Sequence, residues 1–242
     1  MSEPATLEFI SDNTLEDEVI FPPGDLYSDE PPLESDLHRD QIDLLIRLLK
    51  SWWRERQDFY ASGNLTIYYS PNQKKSEYFR GPDFFVVLGT EKKDRKSWVV
   101  WHEDGKYPNV IVEILSNSTA AVDKGFKKQI YQDTFRTPDY FLFDPITIEL
   151  QGFHLVDGKY QNIQTTTDGR LWSQQLELYL GVYEGKLRFF TAENQLIPSS
   201  EELAQQETLR AQQAEERAQQ AEQEIARLRE LLRTQGINPD NI

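Results

Sequence analysis

The stretch PNVIVEILSNST constrains this chain more than any other. Its β-branched run, Val110, Ile111, Val112, then Ile114 and Leu115, reads as a strand covered on both faces. Glu113 interrupts it. A carboxylate in a doubly covered strand costs several kcal/mol or so unless it is paired, protonated or metal-bound. The fold must therefore supply Glu113 with a partner, and that requirement shapes the reading of everything around it.

The surrounding segments outline an α/β plan. Leu37, Ile42, Leu45, Ile46, Leu48 and Leu49 form an apolar stripe that predicts a helix from Asp36 to about Tyr60. LTIYY predicts a strand over 65–69, and GPDFFVVLG a second over 82–88, with proline at its start. Residues 89–108 read as a charged and aromatic loop, and 110–115 as the third strand. SNST and Asp123 are turn and N-cap chemistry ahead of a helix over 121–135. Thr137-Pro138 ends that helix, and DYFLFDP gives a fourth strand. The order is helix, strand, strand, strand, helix, strand in an α/β (α+β) mixed sheet. Asp-Gly and Glu-Gly turns between IELQGFHLV, KYQNI, LELYLGV and KLRFFT add β-hairpins.

Three regions follow: an acidic arm over 1–33, a main domain over 34–198 and a Gln/Glu-rich tail over 199–242. In the tail Ala211, Ala214, Ala218, Ala221, Ile225, Leu228 and Leu232 alternate three and four apart, a heptad seam. It reads equally as an amphipathic helix lying on the core or as a short coiled coil between two subunits, with Gly236 as its stop. The net charge of −15 speaks against nucleic-acid binding by the chain as a whole. Residues 1–36 hold 11 acids and no Lys or Arg, and residues 199–242 hold 9 acids and 5 bases. The middle carries 21 of each sign and is neutral, so it can still present a basic surface. There is no cysteine, which excludes disulfides and thiolate zinc sites and fits a cytoplasmic location. No apolar run is long enough to span a membrane, so no membrane partner is expected.

Asp83 opens the strand before the one bearing Glu113, so two carboxylates can converge at one end of the sheet. Two carboxylates without Cys, and with only three scattered His, suit a hard cation, Mg²⁺ or Mn²⁺. Asp123, Lys127 and Tyr131 stand four apart on one face of the following helix. A Lys127 ammonium beside a metal-bound water helps to orient hydroxide and offsets charge on a phosphate. Plainer readings stand beside these: a structural ion pair for Glu113, a turn for Asp83, a solvated face for Lys127, a helix-dipole position for Asp123 and half-buried packing for Tyr131. Lys92, Lys93, Arg95 and Lys96, near Trp98 and Trp101, read either as a phosphate-gripping surface with stacking rings or as an ordinary charged loop. Lys74, Lys75 and Arg80 add to such a surface.

Taken together, Pro82-Asp83, VEIL, SNST, DKGFKKQIY and DYFLFDP resemble the Uma-type restriction endonucleases of the PD-(D/E)XK nuclease superfamily, over about residues 34–190. The acidic arm lies outside that range. The resemblance implies a restriction-endonuclease-like core and a Mg²⁺- or Mn²⁺-dependent endonuclease acting on DNA through a metal-activated water. Asp83 matches the aspartate of the motif and Glu113 its second acid, with the Ile114 main-chain carbonyl as a further metal ligand. Leu115 stands where the motif lysine is expected. Lys127 takes that role from the helix, with Lys128 as the alternative. Some superfamily members direct an acid from the first helix toward the metal, which brings in Glu34 and His38, although a solvated helix surface is the plain reading of both. A homodimer would bring two sites to two strands. The rivals are a non-catalytic binding or assembly protein on the same fold, and a metal-free carboxylate-pair hydrolase such as a glycosidase.

Overall fold

The computed structural model describes residues 35–70, 72, 78–116 and 123–235. The arm over 1–33, Glu34, Lys74, Lys75 and Gly236 lie outside the described residues. Helix α1 spans Asp36–Trp52, and the Ser35 side chain caps it by accepting from the His38 amide. Its stripe buries Ile42, Leu45, Leu48 and Leu49. The helix stops well before Tyr60, where the sequence pattern had placed its end. Phe59, Tyr60 and Ala61 are needed instead in strand β1 (Phe59–Ser62), which pairs antiparallel with β4 (Phe84–Leu88). Trp53 closes the helix by setting its ring edge-on to Phe59 at 5.0 Å.

The central sheet runs β1-β4-β6-β7-β8-β9, with β6 at Val110–Ile114, β7 at Asp139–Asp144, β8 at Glu149–Val156 and β9 at Lys159–Asn162. Only β6 and β7 are parallel; the other pairs are antiparallel. The expected order of helix, three strands, helix and strand therefore holds, but its first strand is FYAS. LTIYY contributes β2 (Ile67–Tyr68) to a separate three-stranded sheet. It lies between β3 (Phe79–Arg80) and β5 (Trp98–Val99), a strand within what had read as loop. A third sheet, β10 (Leu171–Ser173), β11 (Leu178–Tyr183) and β12 (Lys186–Phe190), is built from the expected hairpins.

Both faces of β6 are covered, as its composition requires. Val110, Val112 and Ile114 join α1 and the β10–β12 sheet in one core. Ile111 and Leu115 point the other way, into an aromatic core with Phe85, Trp98, Tyr131 and Phe135. Side-chain alternation puts Glu113 on this second, aromatic face. A five-residue π turn (Asp123–Lys127) leads into a single short helix, α2 (Lys128–Asp133), which covers that face.

Helix α3 spans Ser200–Thr234, about 52 Å at 1.5 Å per residue. A capping box between Ser199 and Glu202 starts it. Arg188, its side chain buried, holds Glu202 at 2.7 Å, and Arg47 holds Glu201 at 2.9 Å. Past that first turn the helix leaves the core and none of its residues is buried. Ile225 and Leu228 on the seam are about half exposed, 51 % and 50 %. Among the described residues, no helix is long and apolar enough to cross a membrane.

Candidate active site

Asp83 and Glu113 meet because of strand register. Phe84 pairs with Val112, so the next position down the antiparallel ladder sets Asp83 beside Glu113. Pro82 ends the ladder there. The Asp83 carboxylate takes over, its Oδ2 accepting from the Ile114 amide at 2.7 Å. The Asn64 amide fixes the Asp83 backbone by donating to the carbonyls of Pro82 and Asp83. Gly63 lets α1 come this close: a Cβ there would lie 2.3 Å from the Asp83 carbonyl oxygen and 2.4 Å from Ile42 Cγ2.

Glu113 is fully buried. Its Oε1 accepts from the Tyr131 hydroxyl at 2.7 Å, and its Oε2 lies 3.1 Å from Lys127 Nζ and 3.4 Å from the Asp83 amide. Lys127 closes the π turn and Tyr131 lies one helical turn on, so this one segment delivers both partners. Burial, and after it the negative charge of Glu113, push the Tyr131 phenol well above its ordinary range. It therefore stays protonated and donates. The strand carboxylate thus has the partners that its position requires, as the opening run demanded.

His38 also reaches the cluster. It is buried, with Nε2 3.0 Å from Asp83 Oδ1, instead of on the solvated surface that was its plain reading. The sequence carried a signal for this. His38, Gln41, Ile42, Leu45, Leu48 and Leu49 are the buried positions of one helix stripe, so His38 is in phase with the core. Tyr131 departs from its plain reading too, being wholly buried and bonded to Glu113.

Other candidates lie elsewhere. Lys128 points away from the carboxylates, its ammonium 3.3 Å from the centre of the Phe153 ring. Asp123 opens the π turn. Arg95, which read either as part of a phosphate-gripping surface or as part of an ordinary charged loop, has a buried side chain. That side chain is 3 % exposed, and its guanidinium ion-pairs with Glu103 at 2.6 Å and lies against Tyr60 and Trp98. Trp98 is buried beneath it, so neither group is free to meet a nucleic acid. Lys93 pairs on the surface with Glu91 at 3.5 Å, and Lys92 sits over Phe59. Lys96 follows Arg95 on the same exposed connection.

The donor set suits a hard divalent cation. Two carboxylates lie together near the end of the sheet, with Lys127 on Glu113 and the His38 ring on Asp83. Each carboxylate oxygen has two lone pairs, so the hydrogen bonds described leave acceptor capacity. A strand residue presents its N–H and C=O on the same side, so the Ile114 carbonyl shares the side of the amide that reaches Asp83. Among the described residues, no group of three or more His, Cys, Asp or Glu forms a ready-made metal cage. Any bound ion would rest on Asp83, Glu113, the Ile114 carbonyl and water.

A mixed sheet with a buried strand glutamate, an aspartate opening the adjacent strand and a lysine from the next helical segment defines a restriction-endonuclease-like α/β domain. The chain belongs to the Uma2 family: the family model, described as "Putative restriction endonuclease", matches residues 10–193. That match begins within the acidic arm, ahead of the residues 34–190 that carry the resemblance. A crystal structure described as "a putative nuclease belonging to DUF820", from Anabaena variabilis ATCC 29413, aligns with 12 % identity and a TM-score of 0.44, over 60 % of this chain and 76 % of that one. No curated protein matches the chain.

Proposed function

We propose that this protein is a metal-dependent endonuclease that hydrolyses DNA phosphodiester bonds. The observation that carries the reading is the fully buried Glu113, held by Lys127 and Tyr131 beside Asp83. Asp83, Glu113 and the Ile114 carbonyl would hold Mg²⁺ or Mn²⁺. Such an ion supplies charge stabilisation at the scissile phosphate and lowers the pKa of an attacking water. Lys127 places an ammonium where it can orient that water and balance charge developing on the phosphate. Tyr131 fixes the rotamer of Glu113, and the His38 ring lies against Asp83, 3.0 Å from Oδ1. Water attacks phosphorus, one P–O ester bond breaks, and no covalent enzyme intermediate forms.

The exposed seam of α3 supports a homodimer joined through that helix, which would bring two sites to one duplex. The absence of cysteine suits a reducing cytoplasm. A second reading draws on the same cluster: both Glu113 oxygens already have partners, as in a structural polar node of a binding or assembly protein.

The test is cleavage of plasmid and oligonucleotide DNA with Mg²⁺ or Mn²⁺, comparing wild type with Asp83→Ala. The expected result is EDTA-sensitive cleavage that is lost in the variant. Cleavage that survives Asp83→Ala overturns the site. Metal binding without cleavage supports the assembly reading, and EDTA-resistant hydrolysis of a glycosidic substrate supports a carboxylate-pair hydrolase.

A further inference from the structure

The side of the helical segment facing away from the carboxylates borders a cavity of about 610 Å³. This is well within the ~300–1,000 Å³ usual for small-ligand pockets. Its walls are aromatic: Tyr69, Tyr78, Trp101, Tyr107 and Phe126, with Arg80 among them. Phe126, Ile130 and Thr134, four apart, line the cavity, while Lys127 and Tyr131, each one residue later, face Glu113. The two sites share one stretch of backbone. Phe135 bridges them on the inside, its ring 5.3 Å from Tyr131 and 4.8 Å from Tyr69.

The rim is left open to solvent in an unusual way. Phe126 is 58 % exposed and Tyr78 48 %, large rings that burial would stabilise. The Arg80 guanidinium lies 5.0 Å over the Phe126 ring, and its hydrogen bond among the described residues goes to the Phe79 carbonyl. Burial also raises the Tyr69 and Tyr107 phenols above their ordinary range, so both remain hydrogen-bond donors. Flat aromatic faces, phenolic donors and a guanidinium match a nucleobase with its attached phosphate: the base stacks, its edge accepts, and the phosphate meets the arginine. An aliphatic ligand would use neither the donors nor the guanidinium.

We infer that this cavity receives an unpaired nucleobase next to the scissile phosphate, so that the protein prefers DNA with a bulged, flipped or single-stranded nucleotide over fully paired duplex. The inference rests on the nuclease reading for its substrate but has its own readout. Oligonucleotides carrying 2-aminopurine at a bulge are titrated with the full-length chain in the absence of divalent metal. Affinity is measured in parallel by fluorescence anisotropy on bulged, single-stranded and fully paired DNA.

The expected result is quenching of the 2-aminopurine on binding, as stacking requires. Phe126→Ala should weaken binding to bulged DNA about tenfold while leaving binding to paired duplex unchanged, since one base–aromatic stack is at stake. Phe126→Trp should restore it. Because Phe126 is mostly exposed, its loss does not hollow out the core. Absence of quenching, or an equal loss on paired and bulged DNA in Phe126→Ala, overturns the inference. Metal-dependent cleavage without quenching rejects the base pocket and leaves the nuclease reading intact; quenching with no cleavage under any divalent ion does the reverse.

Discussion

At the scale of single residues, Glu113 organises the site. A buried carboxylate with one partner removed costs more than the bond itself, because the charge stays desolvated. Tyr131→Phe deletes the 2.7 Å bond to Oε1 without changing shape and is expected to destabilise the domain by about 1.5–3 kcal/mol, the worth of a hydrogen bond to a charged group. Urea unfolding measures this, and an unchanged midpoint would contradict the structural role given to the phenol. Lys127, partly exposed, matters more for rate. Lys127→Ala should lower cleavage about a hundredfold, as for loss of one preorganised electrostatic group. Mn²⁺ affinity by calorimetry should change little in that variant and fall sharply in Glu113→Gln. Lys128→Ala should affect neither, because its ammonium lies on Phe153. If instead Lys128 is the lysine whose loss stops cleavage, the assignment of the helical segment fails.

At the scale of elements, two junctions control the geometry. The first is the close approach of α1 to the start of β4 across Gly63. A methyl group there would collide with the Asp83 carbonyl and with Ile42, and neither backbone nor core can yield cheaply. Gly63→Ala should cost about 1–3 kcal/mol through overpacking. It should also depress cleavage more than stability, since Asp83 and His38 both sit on the displaced elements. Comparing the temperature midpoint with the rate at a temperature where the variant is folded separates the two effects. The second junction is the root of α3. Arg188, hydrogen-bonded to Glu202, holds that carboxyl at about 2, below its ordinary 4.5. A depressed carboxylate contributes stability that is complete above the unfolded value and lost as pH falls through the folded one. The first turn of α3 should therefore loosen between about pH 4.5 and 2, read as faster amide exchange near Ser199–Glu202. Glu202→Gln should lose most of this pH dependence, the remainder belonging to Glu201, whose carboxyl is also lowered and which pairs with Arg47.

At the scale of the whole molecule, α3 projects a half-exposed seam from a core that is complete without it. Its only anchors among the described residues are at the first turn, so the place to cut is beyond them. Truncation after Thr208 keeps the capping box and the Arg188 and Arg47 pairs, and it removes the seam. Light scattering should find the full chain dimeric and the truncated chain monomeric, with the same unfolding midpoint at matched low concentration. A full chain that is monomeric, or a truncated one that stays dimeric, rejects α3 as the subunit contact. Charge acts at this scale as well. The central residues are neutral while the ends are acidic, so binding to DNA rests on local surfaces and not on the net field.

Much of this was legible in the sequence because it is local. A β-branched run with one acid specifies a covered strand and a polar site at once, and Pro82-Asp83 marks where the neighbouring strand begins. Four-residue spacing sets Lys127 and Tyr131 on one helical face, and the family resemblance follows from these pieces in order. Local pattern could not decide which strand joins which sheet. FYAS and LTIYY have similar propensity, and their assignment depends on whether Phe59 packs beneath α1 or Ile67 beside Trp98. Nor could it decide that Arg95 is spent on Glu103, that His38 meets Asp83 around the end of the sheet, or that Phe126 opens onto an aromatic cavity. Those contacts join residues distant in sequence, and only close packing of the two cores against the sheet brings them within bonding distance.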